Sequence, residues 1–230
     1  MRAVNKDLSY SEFITGIIQR LRNPLNALQL QLDSLRAEIG SLPIEEGAEI
    51  FDRLQRMQKN LAEIGSFLSE VLRLADIPNP QTASVDINSL VKEVELFTRL
   101  ESSKKDLLVQ VELEKSLPPT RADPNQIKQV ILNLLLNAIQ ASPPKARVRL
   151  ATQTDNDRIL ITVGDNGEGI PHADRGRIFE PFFSTKEGAS GLGLPLAAAI
   201  VKTHGGEISL KGDAGNGSEF VVRLPVKGGK

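Results

Sequence analysis

The chain has 230 residues, a formal charge of −1 and 25% charged residues: room for one large or two modest domains, with no charge excess to hold nucleic acid or an anionic membrane surface. Zero cysteines exclude a disulfide framework and a thiolate metal site and fit a reducing compartment, and two widely spaced histidines make no imidazole metal site. No apolar run reaches the roughly 20 residues that span a bilayer, and the N-terminus lacks a signal-peptide core, so a soluble cytoplasmic chain is expected, with membrane contact only through an absent upstream region.

Residues 8–39 carry an apolar repeat at Ile14, Ile18, Leu21, Leu25, Leu28, Leu32, Leu35 and Ile39, in steps of four and three. Residues 50–75 repeat it at Ile50, Leu54, Met57, Leu61, Ile64, Leu68, Val71 and Ala75. This is a heptad seam on two helices. Gly40-Ser41-Leu42-Pro43 turns the chain between them. The pair predicts an antiparallel hairpin roughly 45 Å long at about 1.5 Å per residue. One hairpin buries one side of each seam, so a second copy is expected to complete a four-helix bundle. Pro24 lies inside the first helix and predicts a kink near Arg20 to Asn23.

Ile77 to Ser84 holds two prolines and small polar residues and reads as a linker. A second domain starts near Val85. Asn88 is expected to cap a helix to about Ser102, and Leu107 to Leu113 alternates as a strand. Asp123-Pro124 opens a strong helix from Asn125 to about Ala141, stopped by Ser142-Pro143-Pro144. Val148 to Thr152 and Ile159 to Val163 read as a strand hairpin; Glu207 to Leu210 and Glu219 to Leu224 read as a closing pair. Helices and strands mix without a βαβ rhythm, which predicts an α+β layer sandwich.

Helix 125–141 is apolar on most sides, yet Gln129, Asn133, Asn137 and Gln140 fall on one face at steps of four, four and three. A solvent face normally carries Lys and Glu, so a neutral amide stripe points to a polar cavity. Asparagine carbonyls are hard oxygen ligands suited to Mg²⁺, which takes few protein groups and keeps phosphates and water. Two glycine clusters follow: Asp165-Asn166-Gly167-Glu168-Gly169-Ile170, at the tip of a β-like run, and Gly191-Leu192-Gly193-Leu194, which leads into an apolar helix to Thr203. Glycine lets backbone approach a ligand, and a helix N-terminus offers N–H groups to an anion. Either cluster alone is equally a plain turn.

Together these pieces resemble the sensor histidine kinases of two-component signalling, whose catalytic domain shares an ATPase superfamily with type II topoisomerases and mismatch-repair ATPases. The resemblance covers nearly the whole chain. Asn133-Leu134-Leu135-Leu136-Asn137-Ala138 looks like the N box, Asp165 to Gly169 the G1 box, and Phe179-Glu180-Pro181-Phe182-Phe183 the F box. Gly191 to Leu194 looks like the G2 box, and Gly215 to Phe220 the last glycine motif. The fold implied is an all-α hairpin of a dimeric four-helix bundle (residues 1–76), a linker (77–84) and an α+β two-layer sandwich ATP-binding domain (85–228). The resemblance implies that Asn137 holds Mg²⁺ on ATP with Asn133 beside it. Asp165 accepts a hydrogen bond from the adenine amino group and Ser218 supports that contact. Gly167 and Gly169 let the loop approach the base, and Thr185 and Lys186 belong to a lid running to Ser190. Gly191 and Gly193 present N–H groups to the phosphates; Ile170, Leu192 and Leu194 count with their motifs among the nucleotide-site residues.

The hairpin resembles the dimerisation and phosphoacceptor module, matching its H box at Leu21-Arg22-Asn23-Pro24-Leu25. Gln19 stands where the family has the phosphoacceptor histidine, and Arg20 where it has an acidic residue. A glutamine amide is no nucleophile at neutral pH and an arginine is no base. Of the two histidines, His172 lies in the loop after the first glycine cluster, and His204 reads as a helix C-terminal residue favoured by the dipole. Three functions follow: a dimeric Mg-ATP-binding regulatory module acting on a response regulator or another kinase without autophosphorylation; a response-regulator phosphatase in which Asn23 positions water; or an active kinase with a non-standard acceptor or a Ser/Thr substrate.

Overall fold

The computed structural model describes residues 18, 21, 25–37, 44–186, 189–211 and 217–226. Gln19, Arg20, Asn23 and Pro24, the expected turn at 40–43, and Gly215 and Asn216 lie outside the described residues. The chain divides into two compact units, Met1–Ile77 and Pro78–Lys230.

In the first unit, helix α1 (25–37) and helix α2 (Ile44–Ala75) run antiparallel. Gln58 Nε2 donates to Asp33 Oδ1 at 2.7 Å, and the Arg36 guanidinium lies 5.1 Å from the Phe51 ring centroid. The heptad seam splits by position. Ile18 and Leu54 are buried, and Leu25, Leu32, Leu61 and Leu68 are half-buried. The alternate members Leu21, Leu28, Leu35, Ile50, Met57 and Ile64 remain 44–56% exposed. A helix pair has room for one of the two heptad stripes.

The second unit begins with β1 (Ala83–Val85), α3 (Ile87–Lys104), β2 (Leu108–Leu113), β3 (Thr120–Ala122) and α4 (Pro124–Ala141). It continues with β4 (Arg147–Asp155), β5 (Arg158–Gly164), α5 (Gly193–Thr203), β6 (Glu207–Lys211) and β7 (Glu219–Pro225). Five strands form one sheet in the order β2-β4-β5-β7-β6. The β2–β4 pair is parallel and the other pairs are antiparallel, so the sheet is mixed. Helices α3, α4 and α5 pack as a second layer, with Ile127, Ile131, Leu134 and Leu135 of α4 fully buried against Leu150, Ile159 and Ile161 of the sheet. The apolar sides of α4 are thereby used up, leaving its amide face half-buried at Gln129, Asn133 and Asn137.

Both ends of α4 are tied down. Asp123 Oδ1 accepts from the N–H groups of Asn125 and Gln126, and Pro124 fills the first turn. At the other end the Lys105 ammonium donates to the carbonyls of Ile139, Gln140 and Ser142 at 3.0–3.2 Å, a cation on the negative pole of the helix. Asp123 Oδ2 also accepts from Gln81 N–H, and Ala83 and Ser84, expected in the linker, pair with Ala122 and Arg121. Burial pushes the Asp123 carboxyl up, but the N–H groups of Gln81, Gln126 and Asn125 outweigh it and hold it below the usual carboxylate range.

One expectation is corrected. Asp86, not Asn88, caps α3, accepting from Asn88 N–H; the Asn88 amide instead joins Glu114 O, just past the end of β2, to Thr152 Oγ1 on β4. His204 is the C-cap residue of α5, at the helix C-terminus as expected. Asp123 N–H donates to its Nε2 at 3.0 Å, so that nitrogen keeps its lone pair and Nδ1 carries the hydrogen given to Ile200 O at 2.8 Å. The ring links α5 to the start of α4.

Candidate functional site

The β5–β7 register sets the first part of the site. Val163 pairs with Phe220 and Gly164 with Glu219, so the next residues outward, Asp165 and Ser218, meet where both strands leave the sheet. Asp165 N–H donates to Ser218 O at 2.9 Å. Asp165 Oδ1 accepts from Gly167 N–H at 2.9 Å and from Ser218 N–H at 3.3 Å. Oδ2 has no hydrogen bond among the described residues. A side chain that is 8% exposed, with one oxygen held by backbone and the other left over, is aimed at something external. Burial pushes its carboxyl above the usual range, more than those two N–H groups and the charge of Lys186 lower it. Gly217 makes this contact possible: its φ is +80° and a Cβ there would lie 1.9 Å from Asp165 O. The contacts of Ser218 with Asp165 are made by its backbone N–H and carbonyl.

The second part comes from α4 and α5. Asn137 is half-buried, and among the described residues its side chain makes no hydrogen bond. Its backbone carbonyl receives Lys186 Nζ at 3.3 Å, which brings the expected lid residue down onto α4. Partial burial of that ammonium lowers its pKa, with Asp165 opposing and Lys105 adding to the shift. Thr185 is exposed and Ile170 half-buried, both on the loops between β5 and α5. Leu192 is buried beneath the glycine pair, Leu194 is half-buried, and α5 starts at Gly193 with no side-chain cap, so its first N–H groups stay open.

The two glycines of that pair differ. Gly191 has φ +67°, and a Cβ there would sit 2.7 Å from Phe182 C and Phe183 O. Phe182 N–H donates to Gly191 O, and Phe182 itself has φ +67°, so this close approach locks the phenylalanine motif onto the glycine pair. Phe179 fastens the same motif to the sheet by an edge contact with Phe220, centroids 6.5 Å apart. At Gly193, in contrast, a Cβ would meet only Asn133, at 3.9 Å. The protein leaves room there, which fits a ligand approaching the backbone.

The structure thus gathers Asn133, Asn137, Asp165, Gly167, Lys186, Gly193 and Ser218 around one end of α4 and α5. Gln19, Arg20 and Asn23 lie outside the described residues. Sequence reading missed Lys105 and the Asp123–His204 link, since both depend on contacts between segments distant in the chain.

Residues 122–228 match the family model described as the histidine kinase-, DNA gyrase B- and HSP90-like ATPase. The alginate biosynthesis sensor protein KinB of Pseudomonas aeruginosa is 32% identical over 94% of this chain and 37% of its own length. Sporulation kinase C of Bacillus subtilis is 32% identical over 94% of this chain and 49% of its length, and the sensor histidine kinase ZraS of Escherichia coli 30% over 98% and 48%. The chain thus spans between about a third and a half of these relatives. Among solved structures, full-length ShkA in complex with AMPPNP has a TM-score of 0.80 at 25% identity, covering 93% of this chain and 45% of that one. The nucleotide-free catalytic domain of the histidine kinase ThkA has a TM-score of 0.60 at 28% identity, covering 64% of this chain and 97% of that one. With the strand-end aspartate, the amide face of α4 and the glycine pair of α5 in place, the second unit of this chain is an ATP-binding domain of the histidine kinase family.

Proposed function

We propose that the protein is a two-component signalling module that binds Mg-ATP and acts as a homodimer on a response-regulator receiver domain or a partner kinase, without autophosphorylating at the usual position. The observation that carries nucleotide binding is Asp165, whose Oδ1 is committed to backbone while Oδ2 remains for an external donor such as the adenine amino group. Asn137 supports the metal reading: its free, half-buried amide offers one hard oxygen, which suits an ion that takes most of its ligands from phosphate and water. When bound, Mg²⁺ neutralises phosphate charge. Lys186 and the open N–H groups of α5 supply the remaining positive potential.

Gln19 and Arg20 support the absence of the usual phosphotransfer, because neither a nucleophile nor a base stands at those positions. Asn23 favours a second reading, a phosphatase that needs no histidine because the amide positions the water. The test is incubation of the purified chain with Mg²⁺ and γ-labelled ATP, followed by acid and alkali treatment. Nucleotide binding without label is the expected result. Acid-labile, alkali-stable label would overturn it in favour of a non-standard histidine, and acid-stable label in favour of a Ser/Thr substrate. Loss of phosphatase activity in Asn23→Ala at unchanged ATP affinity would establish the second reading.

A further inference from the structure

Next to the glycine pair, α4 and α5 are joined by a chain of two amides. Asn133 Nδ2 donates to Gly193 O at 3.0 Å, and Gln129 Nε2 donates to Asn133 Oδ1 at 3.1 Å. The direction of the whole chain follows from its last member. A backbone carbonyl only accepts, so Asn133 must present its NH₂ to Gly193. Its oxygen then faces Gln129, which must present a donor in turn. The two residues stand four apart on one helix face, the spacing at which side chains meet. Both are half-buried.

Gly193 is the first residue of α5. The peptide unit is planar, so holding its carbonyl against α4 orients the N–H of Leu194 the opposite way. That N–H is one of the unpaired donors at the helix start. We propose that Gln129 is a positioning residue for nucleotide binding: acting through Asn133, it fixes the Gly193 peptide and the first N–H groups of α5. Asn133 then serves as a clip between two helices and not as a ligand of the nucleotide's metal. The proposal rests on the reading of this site as an ATP site.

The test uses the full chain and calorimetric titration with Mg-ATP and, in EDTA, with ADP. Gln129→Glu keeps the side chain's shape and replaces the donor by an acceptor. It should weaken both nucleotides roughly tenfold, the scale of one misdirected hydrogen bond, with the melting temperature of the free protein unchanged. Gln129→Lys, which restores a donor, should recover part of the loss. In the Asn133→Ala background Gln129→Glu should add nothing, since the clip is already open. The proposal is overturned by unchanged affinity in Gln129→Glu, by an equal loss in both backgrounds, or by a loss confined to Mg-ATP, which would make Asn133 a metal ligand. Binding of neither nucleotide to the unsubstituted chain would overturn the ATP reading and this proposal together; normal binding there with an unaffected Gln129→Glu overturns this proposal alone.

Discussion

At the scale of one residue, Asp165 divides its labour between two oxygens. Oδ1 accepts from Gly167 and Ser218 and cannot be released without leaving two N–H groups unpaired. Asp165→Asn must therefore keep its carbonyl at Oδ1 and place its NH₂ where Oδ2 was. An adenine amino group would then meet a donor. The variant should fold normally and lose ATP affinity on the order of 100-fold, read by calorimetry, because a site built to accept is left with two donors facing each other. The same pair of proteins carries a pH signature. The folded carboxyl lies above its unfolded value, so burial costs nothing while both states are protonated, costs progressively more as pH rises from the unfolded to the folded pKa, and is constant beyond it. The parent should therefore lose stability relative to Asp165→Asn as pH climbs above roughly 4, read from melting temperatures. Asp165 itself was legible from its place between a β-like run and two glycines. Its dependence on the backbone of Ser218 was not, because 53 residues separate them and only the strand register brings them together.

At the scale of elements, one substitution at two glycines separates folding from binding. A Cβ at Gly217 would lie 1.9 Å from Asp165 O, and the φ of +80° already disfavours a side chain. Gly217→Ala should therefore push the two strand ends apart and lower the melting temperature together with ATP affinity. Gly193 sits at the start of α5 with its nearest Cβ neighbour at 3.9 Å. Alanine is a better helix residue by up to about 1 kcal/mol, so Gly193→Ala should melt no lower than the parent. Its methyl would still stand beside N–H groups meant for phosphate, and nucleotide affinity should fall. Parallel loss of stability in both variants would mean that Gly193 is structural. The existence of α4 and α5 was legible because caps, periodicity and stop signals agreed: Asp123-Pro124 before one, Gly193 and His204-Gly205-Gly206 around the other. Strands β1 and β3 were not, since three residues carry no period and their pairing depends on a linker segment held by Gln81 and Asp123. Asn88 misled for a similar reason. It is a fair capping residue locally, but Asp86 two residues earlier takes the cap while Asn88 is drawn to Glu114 and Thr152.

At the scale of the whole molecule, the divided heptad sets the expected assembly. Ile18, Leu25 and Leu32 lie inside the hairpin with Leu54, Leu61 and Leu68, while Leu21, Leu28 and Leu35, with Ile50, Met57 and Ile64, keep about half of their surface in solvent. Covering that remainder contributes about 1 kcal/mol per side chain, so the equivalent positions of two hairpins together contribute roughly 12 kcal/mol. Association costs on the order of 4–15 kcal/mol, so these contacts support a dimer with little to spare. A small margin makes the assembly sensitive to single charges. The parent should sediment as a dimer at micromolar concentration. Leu28→Asp with Ile64→Asp removes apolar contacts and sets carboxylates in the seam, and it should sediment as a monomer. Its ATP affinity should match the parent's, because Asn137, Asp165 and Gly193 all belong to the unit that begins at Pro78. A parent that is monomeric, or a doubly substituted chain that remains dimeric, would rule out this stripe as the interface. A monomer with lost ATP affinity would mean that nucleotide binding depends on assembly, and the site could no longer be described from one unit.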